Sequence, residues 1–235
     1  MTDFSKAKYD TVAPGCRRTS LTGGAASEMT AELLQLSPSA KLVQRVPEGA
    51  DQYFYVLAGG VSLRANGGEA KGVAQNSFAL CQEGTSVEIA AEPGHETQLI
   101  SVVAPPRGKS DRRGFTGGLA VLPVSAQPVV DVPEQKKKRI YLATKDVGST
   151  ERAHGMIVVY QADTVTGNHM HPNAESLFVF LEGRAVVTVN GEEVSVGRGQ
   201  TTFYGTHDKH RLRGADDGVR FLEFHIPGAY TTVRD

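Results

Sequence analysis

Cysteine is nearly absent from this sequence: Cys16 and Cys81 are its two copies, and their separation fits no metal-binding spacing. The first residues, Met1-Thr2-Asp3-Phe4-Ser5-Lys6, lack the apolar stretch of a secretory signal. Together these point to reduced thiols in a cytoplasmic protein rather than to a disulfide. Long hydrophobic runs are missing as well. A run such as Leu177-Phe-Val-Phe-Leu181 has the length of a strand and falls far short of the roughly 20 residues a membrane helix needs. Neither sign of charge dominates, since 25 basic side chains stand against 26 acidic ones. A surface without a global field gathers neither polyanions nor anionic lipid, so neither nucleic acid nor a membrane is an expected partner. Helical periodicity is also scarce. Residues 27–36 invite a helical reading, but residues 29–36 correspond to residues 156–159 in the repeat described next and are read as a strand.

Turn residues, in contrast, are plentiful. With 26 glycines and 11 prolines, the chain breaks about every eight to twelve residues into short runs rich in Val, Phe, Leu, Tyr and Thr, the pattern of a sandwich or barrel. These runs repeat. Asp51-Gln-Tyr-Phe-Tyr-Val-Leu-Ala-Gly59 falls without a gap on Glu175-Ser-Leu-Phe-Val-Phe-Leu-Glu-Gly183, and the constant offset of 124 carries Asn66-Gly67 onto Asn190-Gly191. Asn-Gly favours the two-residue hairpin turn in which both residues have positive φ, so each copy reads as strand, turn, strand. With one gap, Asn76-Ser-Phe78 falls on Thr201-Thr-Phe203, and the segment from Gln98 falls near that from Arg220. The chain is therefore read as a tandem duplication: a barrel over residues 1–110, a linker over 111–138, and a second barrel over 139–235. The basic stretches on either side of the join, among them Glu134-Gln-Lys-Lys-Lys-Arg139, have no aromatics interleaved and are read as a solvated linker face rather than a nucleic-acid site.

The second copy enters its hairpin through Gly167-Asn-His169-Met-His171-Pro-Asn-Ala-Glu175. Histidines at i and i+2 of a strand share a face, so both imidazoles can reach one ion inside a barrel, with Met170 pointing the other way. A later strand brings a second source in Gly199-Gln-Thr-Thr-Phe-Tyr-Gly205-Thr-His207-Asp-Lys-His210. Neutral imidazole is the commonest ligand for first-row transition metals, and three of them, with or without a carboxylate, leave coordination positions open. Isolated histidines such as His95, His154 and His225 are by default core or edge residues. Phe178, Phe180 and Phe203 are read as barrel core.

The His-x-His-x3-Glu pattern, the glycine closing the strand and the downstream Gly-x10-His resemble the two motifs of the cupin superfamily. The duplication makes the chain similar to bicupins: an all-β fold of tandem double-stranded β-helix (jelly-roll) barrels. The resemblance implies one divalent transition metal ion per chain, with His169, His171, Glu175 and His210 as ligands. Fe(II) is favoured over Mn(II), Zn(II) or Ni(II). It departs at three places. Glu175 lies one residue further from Gly183 than the family pattern has it, with Ser176 in the expected place, so its side chain reaches the ion only through a bulge; otherwise the site is three-histidine, or His207 fills it. Gly205 and Gly214 replace the usual proline and asparagine of the second motif. In the first copy Arg45, Pro47, Asp51 and about Thr85 stand where the ligands would be. That barrel is expected to be metal-free with a structural or dimer-forming role, which makes a homodimer or higher homo-oligomer the expected assembly. Tyr160, Gln161, Arg184, Arg213 and Glu223 fall on neighbouring strands or loops, but His207, Tyr204 and His225 are the candidates singled out for proton transfer or substrate orientation. The activity implied is an Fe(II) dioxygenase acting on a small organic acid or enol. The alternatives are a non-redox Mn or Zn enzyme (aminohydrolase, isomerase or decarboxylase, with an architecture like the ureidoglycine aminohydrolases) and a non-catalytic small-ligand-binding module.

Overall fold

The structure is a computed structural model that describes residues 1–105 and 111–235. The part of the expected domain junction at residues 106–110 lies outside the described residues. Apart from two short 3-10 turns at Val124–Ala126 and Pro133–Gln135, the regular structure is entirely β. No helix is long and apolar enough to cross a membrane among the described residues.

Chain order begins with β1 (Thr2–Asp3), β2 (Asp10–Ala13), β3 (Cys16–Ser20), β4 (Thr30–Leu36), β5 (Lys41–Arg45) and β6 (Asp51–Ala58). It continues through β7 (Gly60–Ala65), β8 (Ala70–Ala74), β9 (Ser77–Cys81), β10 (Ser86–Ala91), β11 (Thr97–Ala104) and β12 (Leu119–Pro123). A four-stranded sheet, β5-β10-β7-β8, faces a seven-stranded sheet, β12-β9-β6-β11-β4-β3-β2. Between them lies a filled apolar interior that includes Leu34, Val46, Phe54, Val61, Val87, Ile89 and both cysteines, which are free and buried.

The second half comprises β13 (Val129–Val132), β14 (Lys137–Ala143), β15 (His154–Tyr160), β16 (His169–Met170) and β17 (Glu175–Val189). It closes with β18 (Glu192–Gly197), β19 (Gln200–Tyr204), β20 (His210–Ile226) and β21 (Val233–Arg234). Its strands form one ten-stranded sheet along the path β1-β19-β17-β20-β15-β14-β13, with β16, β18 and β21 attached. The long β17 and β20 turn the corner of the barrel together, and the β17–β20 register shifts around Gly183. Gly183 has φ 67°, and a Cβ there would collide with the Gly218 carbonyl, so the glycine that closes the motif is a packing requirement. Both Asn-Gly turns have positive φ at each residue, 51° and 71° at Asn66-Gly67 and 48° and 93° at Asn190-Gly191. The region expected to be a strand around residues 29–36 is β4.

Two expectations are corrected. The segment 111–138 is not a simple linker, because β12 pairs with β9 of the first barrel while β13 and the start of β14 belong to the sheet of the second. The first half also lends a strand to the sheet of the second, since β1 pairs with β19. The repeat alignment, moreover, fails at two points, one in its gapped part and one before Asp51. Tyr55 pairs with Phe78 as Val179 pairs with Thr201, so Phe78 takes the place of Thr201 and not of Phe203. Gln44 pairs with Val87 as His169 pairs with His210. With Pro47 matching Pro172, the first copy has one extra residue before Asp51, and Gln44, Val46 and Val87 replace the three histidines rather than Arg45, Pro47 and Thr85.

The barrels share a third core. Because β17 alternates, Ser176, Phe178 and Phe180 face its own interior while Leu177, Val179 and Leu181 face the other barrel, packing with Tyr53, Phe78, Leu80, Phe224 and Ile226. That two-sided burial is why residues 177–181 read as an unbroken apolar run. Phe203 is only partly buried and packs against this shared core rather than inside a barrel.

Candidate metal centre

His169 on β16 sits opposite His210 at the start of β20, and His171 follows two residues on. Their potential ligand atoms all lie within 4.8 Å of one another, and among the described residues this is the one group of three or more His, Cys, Asp or Glu side chains that can hold a metal ion. Each ring is oriented by the backbone. Nδ1 of His169 is 2.9 Å from the Gly167 carbonyl, Nδ1 of His171 is 2.9 Å from that of Thr231, and Nδ1 of His210 is 2.9 Å from that of Asp208. A carbonyl oxygen only accepts, so each Nδ1 carries the proton and each Nε2 lone pair is free. Nε2 of His171 and of His210 are buried and have no hydrogen-bond partner. Buried polar atoms are rarely left unmade, and a cation at the centre of the trio satisfies both. Burial, with the neighbouring histidines adding to it, pushes His171 down to about 4 and His210 to about 3, and burial also lowers His169. The three imidazoles are thus neutral near pH 7, the form that ligates. On geometry, tautomer and protonation the residues fit a divalent transition metal.

The structure does not bring Glu175 to this group. Its Oε1 accepts from the Ser27 amide at 2.8 Å and the Ser27 hydroxyl at 2.7 Å, and its Oε2 accepts from the Glu28 amide at 2.9 Å. No bulge turns it inward, since pairing with β20 runs in step from Glu175–Ile226 through Phe180–Phe221. Alternation therefore sends Ser176 into the barrel and Glu175 out to the N-terminal segment. His207 is exposed at φ 72° in the turn before β20 and does not join the trio. Tyr204 is buried with its ring stacked on His210 at 4.1 Å between centroids. Its hydroxyl accepts from Thr202 at 2.8 Å, and burial raises its pKa far above the ordinary tyrosine value. Tyr204 buttresses a ligand ring rather than offering a proton.

His225 does face the cavity. Ser176 Oγ lies 2.8 Å from its Nδ1, and its Nε2 is hydrogen-bonded to Glu223 Oε1. Glu223 is named by the sequence reading among the residues of neighbouring strands but is not one of those it singles out. Burial alone would raise its carboxyl, but the attraction and hydrogen bond of His225, with His154 and His171 beyond, outweigh burial and hold it below the ordinary value. The missed signal was the spacing: Glu223 and His225 stand at i and i+2 of one strand, as His169 and His171 do. Tyr230, also missed, stacks on His225 at 3.9 Å and meets His171 edge-on at 5.1 Å. His169, His171, Glu223, His225, Tyr230 and Tyr160 line one cavity of about 580 Å³, a size suited to a small molecule.

Comparison with known proteins agrees with this fold. Residues 156–225 match the family model described as the cupin domain. Over 88 residues the chain is 35% identical to the tetracenomycin polyketide synthase protein TcmJ of Streptomyces glaucescens, covering 37% of this chain and 58% of that protein. The chain thus spans little more than half the length of this curated relative. Among solved structures, the protein Ylba of E. coli superposes with a TM-score of 0.79 at 15% identity, over 96% of this chain and 89% of its own. An oxalate decarboxylase of Bacillus subtilis described for its Mn(II) centres superposes with a TM-score of 0.72 at 12% identity, over 99% and 78%. At such identities the superpositions speak for the fold alone. The chain accordingly has an all-β cupin fold, and residues 156–225 of its second barrel match a cupin domain that carries the histidine trio.

Proposed function

We propose that this chain is a mononuclear metal-dependent enzyme that performs acid–base chemistry on a small organic acid. His169, His171 and His210 hold the ion, and Glu223 with His225 handles the proton. The observation that carries this reading is the pair of buried, partnerless Nε2 atoms of His171 and His210 beside a hydrogen-bonded Glu223–His225–Ser176 chain, with His169, His171, Glu223 and His225 lining one cavity. A bound divalent ion supplies Lewis-acid polarisation of a substrate oxygen and holds the substrate in place. The chain's own residues supply the rest. Glu223, ionised and facing the cavity, accepts a proton from the substrate; His225 orients that carboxylate through Nε2 and is itself oriented by Ser176. Stacking of Tyr230 on His225 and of Tyr204 on His210 holds both rings at fixed angles.

The expectation of Fe(II)-dependent dioxygen addition rested on a mixed nitrogen and oxygen ligand set, and with Glu175 engaged by Ser27 and Glu28 that argument loses its carboxylate. A three-imidazole set suits Zn, Mn or Fe alike, while a proton-handling pair beside it favours the non-redox reading. Dioxygen chemistry is the second reading, because three imidazoles would fill only part of a divalent ion's coordination shell. The test is a screen of small carboxylic acids against metal-reconstituted protein with an oxygen electrode in the same cell. Turnover without oxygen uptake, lost in Glu223→Gln while bound metal is retained, is the expected result. Stoichiometric oxygen consumption would replace this reading with the second.

A further inference from the structure

The basic run at residues 134–139, which reads in the sequence as a solvated linker face, is in the structure part of the cavity wall. Its last residues open β14, and alternation on that strand turns Lys137 and Arg139 to the cavity lined by His169 and His171 while Lys138 is exposed to solvent. Their strand partners on β15, Tyr160 and Val158, line the same cavity. Arg234 joins them from β21, where it pairs with His169. None of the three cations makes an ion pair or a side-chain hydrogen bond among the described residues. Two carboxylates share the wall, Glu134 and Glu223, and Glu223 is engaged by His225. The wall therefore carries excess positive charge even before a divalent ion is counted.

A rim of solvated cations would explain this cheaply if all three were exposed, but Lys137 is only 9% accessible. Partial desolvation of an unpaired ammonium is costly, and burial, with Arg139 next to it, depresses the pKa of Lys137 against the pull of Glu223 and Glu134. An anion in the cavity removes that cost. We propose that Lys137, with Arg139 and Arg234 beside it, binds a carboxylate of the substrate, so that the site takes a small organic acid with at least two anionic groups. This deepens the metal-enzyme reading by naming its substrate class, and it depends on that reading only for the second group.

The experiment is calorimetric titration of the full chain, both metal-loaded and chelator-stripped, with malonate, succinate and glutarate, and with succinamide as the uncharged isostere. At least one diacid is expected to bind tenfold or more tightly than succinamide, as charge-assisted hydrogen bonds do. Lys137→Gln should weaken that diacid about tenfold, and Arg234→Gln by a smaller factor, with bound metal unchanged in both. If Lys137→Gln does not fold, the Arg139→Gln/Arg234→Gln double variant, made at less buried positions, carries the same expectation. Succinamide binding as tightly as every diacid, or diacid affinity unchanged in these variants, would overturn the proposal. Lys137-dependent diacid binding that persists in protein unable to retain metal would support it even though the metal-enzyme reading had failed.

Discussion

Where the C-terminal barrel places His169, His171 and His210, the N-terminal barrel places Gln44, Val46 and Val87 at the same strand register. Two of the three replacements are aliphatic and offer no lone pair, and both are fully buried in a filled core. At one position, however, the copies agree. Asp51 and Glu175 open equivalent strands, and each carboxylate reaches the segment that leads into the other half. Glu175 takes Ser27 and Glu28 just before β4. Asp51 accepts from the Thr150 hydroxyl at 2.6 Å, from Arg152 at 2.9 Å and from the Phe115 amide at 3.0 Å, just before β15 and in the segment joining the barrels. The difference teaches that the scaffold and the site are separable: both barrels keep the carboxylate that fastens them together, and one keeps the histidines.

Breaking the fasteners should have unequal consequences. Asp51→Ala leaves Arg152, 5% accessible, without its main partner apart from Glu83, and removing one member of a buried ion pair costs about 3–5 kcal/mol. Urea unfolding should report a loss of that order, with metal content in the second barrel retained. Glu175→Ala removes an acceptor from neutral donors at a partly exposed segment, so a smaller loss of about 1–3 kcal/mol is expected by the same assay. Equal losses would mean that the two fasteners are energetically alike and that the charge on Arg152 is immaterial.

Acid should separate the barrels as well. In the C-terminal half His171 and His210 are buried and His154 is half-buried, with His154 and His171 pushed down to about 4 and His210 to about 3, chiefly by desolvation. The N-terminal half has only His95, which is exposed. Below the ordinary histidine value of about 6.5 the unfolded chain takes up protons that the folded chain refuses. In metal-free protein the stability of the second barrel is therefore present in full above pH 6.5 and declines as the pH falls to about 3. Hydrogen exchange followed by mass spectrometry should show β15, β17 and β20 loosening in that window while β6 and β11 hold; uniform loosening would count against the assignment. The smallest effect belongs to His207→Ala. With its side chain exposed and outside the trio, metal content and stability should match the parent within about 0.5 kcal/mol.

The duplication, the hairpin turns and the trio were legible because each is written in local chemistry: Asn-Gly at equivalent places, and His-x-His on one strand face. What was not legible depends on partners distant in sequence. Glu175 looks like a ligand until Ser27 and Glu28 are seen to hold it. Glu223 is an ordinary strand carboxylate until β20 pairs with β17 and sets His225 against Ser176. Lys137 and Arg139 look solvated until β14 joins the sheet. The extra residue between Pro47 and Asp51 cannot be assigned without strand register, so alignment alone put Arg45 and Pro47 where Gln44 and Val46 belong.

The central claim is that one barrel binds metal through three imidazoles and no carboxylate. Elemental analysis of the parent, His171→Ala, His210→Ala and Glu175→Ala proteins, purified without a tag and confirmed folded by circular dichroism, tests it directly. The account predicts one equivalent of metal per chain in the parent, a full equivalent in Glu175→Ala, and little or none in the two histidine variants. Two equivalents in the parent, or metal lost from Glu175→Ala while its fold remains intact, would contradict it.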